Sequence, residues 1–378
     1  MLSQIPSHTY DKTRPLFAYS QLLVIESMLA GLTLADIYVD DVSSPQTAVT
    51  WFKDRVIIGG QPGSSQLRQA IRHLLATTFT DQAKGIGADE FSVYAPPVWQ
   101  PHLAAVMPGE HPLPDTRVYY RLDARGRTWQ TVVPAGYKLR RVDAALLADA
   151  SIHNLDYVTD EMCSERPSVA DFLDKSFGYC VVQAGAIVAW CMSEYNSGNR
   201  CELGIETADS HRRQGLASVT ATAVIQEAVS RGMYDIGWLS WASNTPSLRI
   251  AEKLGFHKTA EYPIRFMMFD PVVNLAVNGY FRHEAGEFAE ALVWYRQALA
   301  EASAPDWIAY RAARAAATLG QTEDVFVYLE TAVAKGFNDK SYLQQQPEFE
   351  PYHHLPDWVR LQQKLQRRQD TSSFSSEV

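Results

Sequence analysis

A chain of 378 residues is longer than one ordinary hydrophobic core sustains, so two or three domains are expected. With 46% hydrophobic residues, 20% charged residues and a net charge of -9, its composition is that of a globular protein and excludes a general nucleic-acid binder, which needs a basic face to displace counterions. No run reaches the length of a membrane span, and the N-terminus lacks the charged-then-apolar order of a signal peptide. Cys163, Cys180, Cys191 and Cys201 form no Cys-x-x-Cys pair, so buried thiols, no metal site and a cytoplasmic location are expected.

In chain order, residues 1–130 carry strand-like runs, TAVTWFKDRVIIGG and DTRVYYRLD, around a helical stretch, SSQLRQAIRHLLATTF. Trp51, Trp99, Tyr119 and Tyr120 are expected in the core there. In residues 131–270, YCVVQAGAIVAWCMSEYNSGNRCELGIET reads as two strands and the start of a third, joined by turns at Ala184-Gly185 and Asn196–Asn199. A helix over Gln214–Arg231, a strand in DIGWLSWA, a helix over Thr245–Leu254 and a strand in GFHKTAEYPIRFMMFD follow. Residues 271–368 are helical in pattern, with Gly286 and Gly320 a fixed 34 residues apart, so that Tyr295 aligns with Leu329, Ala298 with Ala332 and Leu299 with Val333. This resembles tetratricopeptide repeats, about two units, and implies a surface for a protein partner; a plain helical bundle is the other reading. The stretch QDTSSFSSEV, residues 369–378, reads as a disordered tail.

Chemistry concentrates at SHRRQGLASVTATAVIQEA, Ser210 to Ala228. The first turn of a helix leaves amide N–H groups unpaired at the positive end of the helix dipole. Gly215 allows close backbone approach there, Ala217 keeps the next inward position small, and Arg212 and Arg213 add forked cations that suit a diphosphate. Cations at that end of a helix oppose its dipole unless they bind an anion.

Arg212-x-x-Gly215-x-Ala217 resembles the Q/R-x-x-G-x-G/A signature of the GCN5-related N-acetyltransferase superfamily, and SNTPSLRIAEKLGFHKT resembles its N-x-x-A…K-x-G-F segment. RCELGIET and WLSWASNTPSLRIAEKLGF are closest to the branch that includes the zwittermicin A resistance protein. The resemblance implies an α/β (α+β) fold with a mixed, splayed central sheet over residues 131–270, and acetyl-CoA as cosubstrate. It places the cofactor on Arg212, Arg213, Gln214, Gly215, Leu216 and Ala217, on strand donors around Ile205 and Thr207, and on Asn244, Ser247 and Lys253. The reaction it implies is transfer of acetyl to a primary amine of a small molecule such as an amino-bearing antibiotic. The other readings are a protein N-acetyltransferase docked through the repeats and a non-catalytic acyl-CoA-binding protein.

General-base candidates are Glu202 and Glu206, four apart on one strand and so on one face, with Glu202 preferred and Glu194 on the preceding strand as a further candidate. Many relatives carry a tyrosine acid seven residues after the asparagine; here that position is Ala251, leaving Ser247, a water or unassisted thiolate departure. Residues 1–130 repeat the order of elements with the cation-free GGQPGSS in the loop position. They are therefore expected to form a degenerate copy of the fold that walls the substrate cleft.

Overall fold

The computed structural model describes residues 2–374. Among these, twelve strands form one mixed sheet: β1 (Ser3–Ile5), β2 (Ile37–Val39), β3 (Thr47–Phe52), β4 (Arg55–Gly60), β5 (Glu90–Tyr94), β6 (Leu113–Asp123), β7 (Lys138–Arg141), β8 (Gly178–Gln183), β9 (Ala186–Ser197), β10 (Arg200–Thr207), β11 (Asp235–Trp241) and β12 (His257–Met268). Their spatial order is β1-β2-β3-β4-β5-β12-β6-β11-β10-β9-β8-β7.

One pattern occurs twice. The antiparallel runs β2-β3-β4 and β8-β9-β10 each lead through a loop into a helix, Ser65–Leu74 or Leu216–Ser230. Each helix returns to a strand parallel to the one before it, β5 beside β4 and β11 beside β10. A second helical segment then feeds a last strand, β6 or β12. Those last strands change places: β12 lies beside β5, while β6 pairs antiparallel with β11 from Asp235↔Asp123 to Trp241↔Arg117.

This exchange corrects the boundary expected at residue 130, because each half supplies a strand that lies in the other half's part of the sheet. The chain divides instead into one compact unit made of residues up to Phe79, Ser92–Val106 and Pro114–Arg265, and a second made of Thr80–Phe91, Met107–Leu113 and the chain from Phe266 onward. Which strands meet at the centre of a sheet is a long-range choice that local periodicity does not encode.

In the first unit both sheet faces are covered. The helices Leu216–Ser230 and Thr245–Leu254 bury Ala221, Val224, Ile225 and Leu254 against Cys201, Leu203, Ile236 and Trp238. On the other face, the helices Asp156–Glu165 and Val169–Lys175 bury Val158, Met162 and Phe172 against Cys180, Val182, Trp190 and Met192. Trp51, Trp99, Tyr119 and Tyr120 are all buried, as their aromatic character leads one to expect. The thiols of Cys180, Cys191 and Cys201 are buried, but Cys163 is exposed, which corrects the expectation of four buried thiols.

The second unit is built on the helix pairs Pro271–Glu284 with Phe288–Leu299 and Asp306–Thr318 with Thr322–Lys335. Tyr295, Ala298, Leu329, Ala332 and Val333 are buried in its alanine-rich core, while Leu299, which the 34-residue offset aligns with Val333, is only partly buried. The last helix runs from Pro356 to Phe374, so the tail expected to be disordered from 369 is helical through 374; its remainder lies outside the described residues. No helix among the described residues is long and apolar enough to cross a membrane.

Candidate functional site

β10 and β11 run parallel from Arg200↔Asp235 to Leu203↔Trp238, and there their pairing stops. β10 continues to Thr207 against β9 alone, and β11 continues to Trp241 against β6 alone. A wedge therefore opens along Gly204–Thr207, where backbone groups turned toward β11 have lost their cross-strand partners. This is the splay expected at Ile205 and Thr207. The Thr207 hydroxyl is buried and has no hydrogen-bond partner.

The basic loop stands at the end of that wedge. Gly215 caps the Leu216–Ser230 helix with a left-handed backbone, φ 81°, and no side chain caps the helix. Arg213 also has positive φ, 63°, so two left-handed residues flank Gln214, an arrangement related to backbone anion nests. The amides from Arg213 to Ser218 donate to no atom among the described residues. A Cβ on Gly215 would meet nothing within 4 Å. Gln214 accepts from the Tyr137 hydroxyl at 2.6 Å, and the Arg212 Nε donates to the Thr207 carbonyl at 3.3 Å, which ties the loop to the strand end. Arg212 also pairs with Asp209 at 2.6 Å in an exposed ion pair that an anion can replace. Open amides, two arginines and an orphaned hydroxyl fit a phosphate-bearing cofactor.

Asn244 begins the helix after β11, at the same end of the parallel pair as the loop, and its Oδ1 accepts from the Ser247 amide at 3.2 Å as an N-cap. Ser247 Oγ accepts from the Trp238 indole at 3.0 Å and keeps its own proton to donate. Ala251 is fully buried. Lys253 is exposed in the last turn of the helix, roughly 13 Å along its axis from Asn244.

The carboxylates divide by environment. Glu202 is 1% exposed; its Oε2 accepts from the Leu23 amide at 3.2 Å and the Tyr119 hydroxyl at 2.8 Å, and burial raises its pKa. Glu206 lies on the same face but is exposed, opposite Trp190 on β9. The crowded acids are Glu194 on β9 and Glu161 on the Asp156–Glu165 helix, both near Gly204, where the wedge begins. A methyl at Gly204 would collide with Glu194 Oε1 and lie 3.3 Å from Glu161 Oε1. Burial and the charges of Glu165 and Glu161 push Glu194 well above the usual carboxylate range. Burial and Glu165 push Glu161 up to about 7. Arg55 holds Glu165 through two hydrogen bonds of 2.5 and 2.7 Å, and Tyr195 donates to the same carboxylate. No basic side chain among the described residues pairs with Glu161 or Glu194. Glu161 carries no sequence signal, since it lies on a helix outside every motif; only the fold carries it to β10.

A model of the GNAT acetyltransferase family matches residues 14–265. The chain belongs to this family. It is therefore an N-acetyltransferase by family, and the match takes in the N-terminal section as well as the motif-bearing one. The chain is 25% identical over 259 residues to an uncharacterized N-acetyltransferase, YdfB, of Bacillus subtilis (strain 168), covering 68% of this chain and 92% of that protein. A GCN5-related N-acetyltransferase-like protein from Streptococcus suis shares the fold with TM-score 0.52 at 22% identity, over 69% of this chain and 98% of that one. A tandem GNAT protein from the clavulanic acid biosynthesis pathway, solved without AcCoA, aligns at 14% identity and TM-score 0.45 over 72% of this chain and 99% of that one.

Within this GNAT chain the first half carries the same junction in a closed form. β4 leaves β5 after Ile57↔Tyr94, as β10 leaves β11. There, however, the Trp99 indole donates to the Gly60 carbonyl at 2.9 Å and the Tyr19 hydroxyl to the Ile58 carbonyl at 3.0 Å. Ser64 Oγ caps the Leu67 amide, and the Arg68 guanidinium turns back onto the Pro62 and Gly63 carbonyls at 3.3 and 2.7 Å. A Cβ on Gly63 would lie 2.6 Å from Leu67 Cδ2.

Proposed function

We propose that this GNAT enzyme transfers the acetyl group of acetyl-CoA to a primary amine of a small molecule by direct attack in a ternary complex. The observation that carries the reading is the alignment, on one strand, of uncapped loop amides beyond Thr207 with a crowded carboxyl pair at Gly204. In this reading Arg212, Arg213 and the amides of Gln214 to Ala217 hold the pyrophosphate, while Ile205, Thr207 and Asn244 line the wedge for the pantetheine arm. Bound acetyl-CoA supplies an activated acetyl thioester. Glu194 takes a proton from the acceptor ammonium, so that the amine's lone pair forms the new N–C bond as the C–S bond breaks. Ser247, oriented by Trp238, gives its proton to the departing sulfur and takes in return the second proton that the new amide nitrogen sheds, so that its hydroxyl is restored. Glu202 serves instead as a structural acceptor that joins Leu23 and Tyr119 under the sheet. The first half is a degenerate GNAT copy whose own cofactor wedge is filled, and it walls the acceptor side through Arg55.

The likeness of RCELGIET to the zwittermicin A resistance branch directs the acceptor screen toward amino-bearing antibiotics and similar metabolites. The helix pairs, spaced as in tetratricopeptide repeats, are the surface on which a protein partner would dock. Ala251, in place of a tyrosine acid, favours the second reading, a non-catalytic acyl-CoA binder. Calorimetry with acetyl-CoA, followed by thiol release with a panel of amines, separates the two: binding without thiol release removes the enzyme reading.

A further inference from the structure

The side of the wedge formed by β11 and β6 carries a cation that the chain leaves without an anion. Beyond Trp238, Leu239 and Trp241 lie on the face of the sheet opposite the Leu216–Ser230 helix, packed against the cluster of Tyr94, Tyr119 and Tyr262. Arg117 stands cross-strand from Trp241 on β6, and its guanidinium stacks over the indole, 4.4 Å from the ring centroid. The Arg117 Nε is buried without a hydrogen-bond partner, and the side chain joins no ion pair among the described residues. Tyr94 is 1% exposed and electrostatically coupled to Arg117, and its hydroxyl also makes no hydrogen bond among the described residues.

Both groups are donors. Stacking satisfies the face of a guanidinium, but its in-plane N–H groups still call for oxygen, as does a buried hydroxyl. The carboxylates of the region are engaged elsewhere: Glu202 by the Leu23 amide and Tyr119, Glu165 by Arg55, and Asp115 by the Thr116 amide. Continued past Leu203↔Trp238, the register sets Leu239 level with Gly204 and Trp241 level with Glu206. Arg117 therefore lies two strand spacings, roughly 10 Å, across from β10 and about 7 Å farther along than Gly204. The crowded Glu194 stands on the other side, on β9. Acids on one side and an unpaired guanidinium on the other set a field that turns an amine toward Glu194 and an anion toward Arg117.

We infer that Arg117, with Tyr94, anchors a carboxylate on the acceptor, so that the acceptor is an amino carboxylate whose two charged ends are several bonds apart. The planar fork of the guanidinium matches a carboxylate's two oxygens, and stacking on Trp241 holds that fork in one plane before the acceptor arrives. The inference rests on the transferase reading for its chemistry, while carboxylate binding at Arg117 stands without it.

The full-length protein is tested with 4-aminobutyrate and 6-aminohexanoate, each against its neutral amide, by thiol release with acetyl-CoA and by calorimetry. For the better of the two acids, kcat/KM is expected to exceed that of its amide about tenfold, the equivalent of one charge-assisted contact, and Arg117→Gln should bring the ratio close to one. Arg117→Lys, which keeps the charge and loses the fork, should restore part of the preference, and Tyr94→Phe should lower it about threefold. Far-ultraviolet circular dichroism checks that each variant is folded; should Arg117→Gln fail that check, Tyr94→Phe decides through the same ratio. A wild-type ratio near one, or a preference that Arg117→Gln leaves unchanged, overturns the inference and leaves the transferase reading standing. Loss of acetyl-CoA affinity in folded Arg117→Gln also overturns it, by giving Arg117 to the cofactor. Binding of an acid that Arg117→Gln abolishes, with no acetylation of acid or amide, upholds the anchor and removes the transferase reading.

Discussion

Two junctions of the same design, one after β4 and one after β10, differ in what occupies them. After β10, Gly215 faces open space, the helix amides are uncapped and two arginines stand on the loop. After β4, Leu67 fills the space before Gly63, Ser64 caps the helix, Arg68 is folded back on its own turn, and Trp99 and Tyr19 occupy the carbonyls of the diverging strand. A strand that leaves its parallel neighbour exposes backbone polar groups that must be satisfied. One junction satisfies them with the protein's own side chains and becomes scaffold. The other leaves them open, and in the transferase reading a ligand satisfies them. A wedge is a site only while the chain declines to fill it.

The comparison is sharpened by changing each junction in turn. If chemistry belongs to the open wedge alone, Glu194→Gln should have the largest effect, lowering kcat/KM by roughly 1,000-fold while acetyl-CoA affinity is kept; steady-state kinetics and calorimetry check this. The rate of the wild-type enzyme should rise with pH as Glu194 loses its proton, through a region set above the ordinary carboxylate range by burial, Glu165 and Glu161, with Arg55 opposing them. The acid limb should flatten in the variant.

Gly215→Trp is expected to weaken acetyl-CoA binding by about 100-fold or more, because the φ of 81° disfavours any side chain and the ring would stand before the open amides. The matching Gly63→Trp should lower thermal stability and leave acetyl-CoA affinity of the folded protein unchanged; an equal loss of affinity in both would break the comparison. Arg212→Ala with Arg213→Ala should cost about tenfold in affinity, an effect that shrinks as salt is raised.

Opening the closed junction with Ser64→Ala and Arg68→Ala should remove about 1–2 kcal/mol of stability, read from denaturant unfolding, while calorimetry still counts one acetyl-CoA per chain. A second bound acetyl-CoA would mean that the first half is a masked site rather than scaffold. The smallest effect expected is on stability alone. Glu161 has a folded pKa near 7, above its unfolded value, so the folded state holds the extra proton between about pH 4.5 and 7. Stability should therefore fall as pH rises through that window, and Glu161→Gln should flatten the dependence and raise Tm by a few degrees at pH 8.

Short-range motifs are legible in the residues themselves. The Ala184-Gly185 turn, the Thr245–Leu254 helix with Asn244 as its cap, and the Gly215 helix entry stand where local pattern puts them, since backbone preference and capping chemistry act within a few residues. The 34-residue offset aligns Tyr295 with Leu329 and Ala298 with Ala332, all four buried, but aligns the buried Val333 with the partly buried Leu299. The carboxylates are not legible in this way: Glu202 and Glu206 share a face as their spacing requires, but one is sealed under Leu23 and Tyr119 and the other opens to solvent.

By itself, then, the sequence determined the elements, the uncapped basic loop and the family to which it points, because glycine, arginine and the periodicity of apolar residues speak locally. Only the tertiary structure decided that β6 and β12 trade places, that Glu161 arrives beside Glu194 at Gly204, and that one of two equivalent wedges is filled. Each of those depends on contacts between residues far apart in the chain, and the free energy of such contacts is set by burial and register, which no short stretch contains.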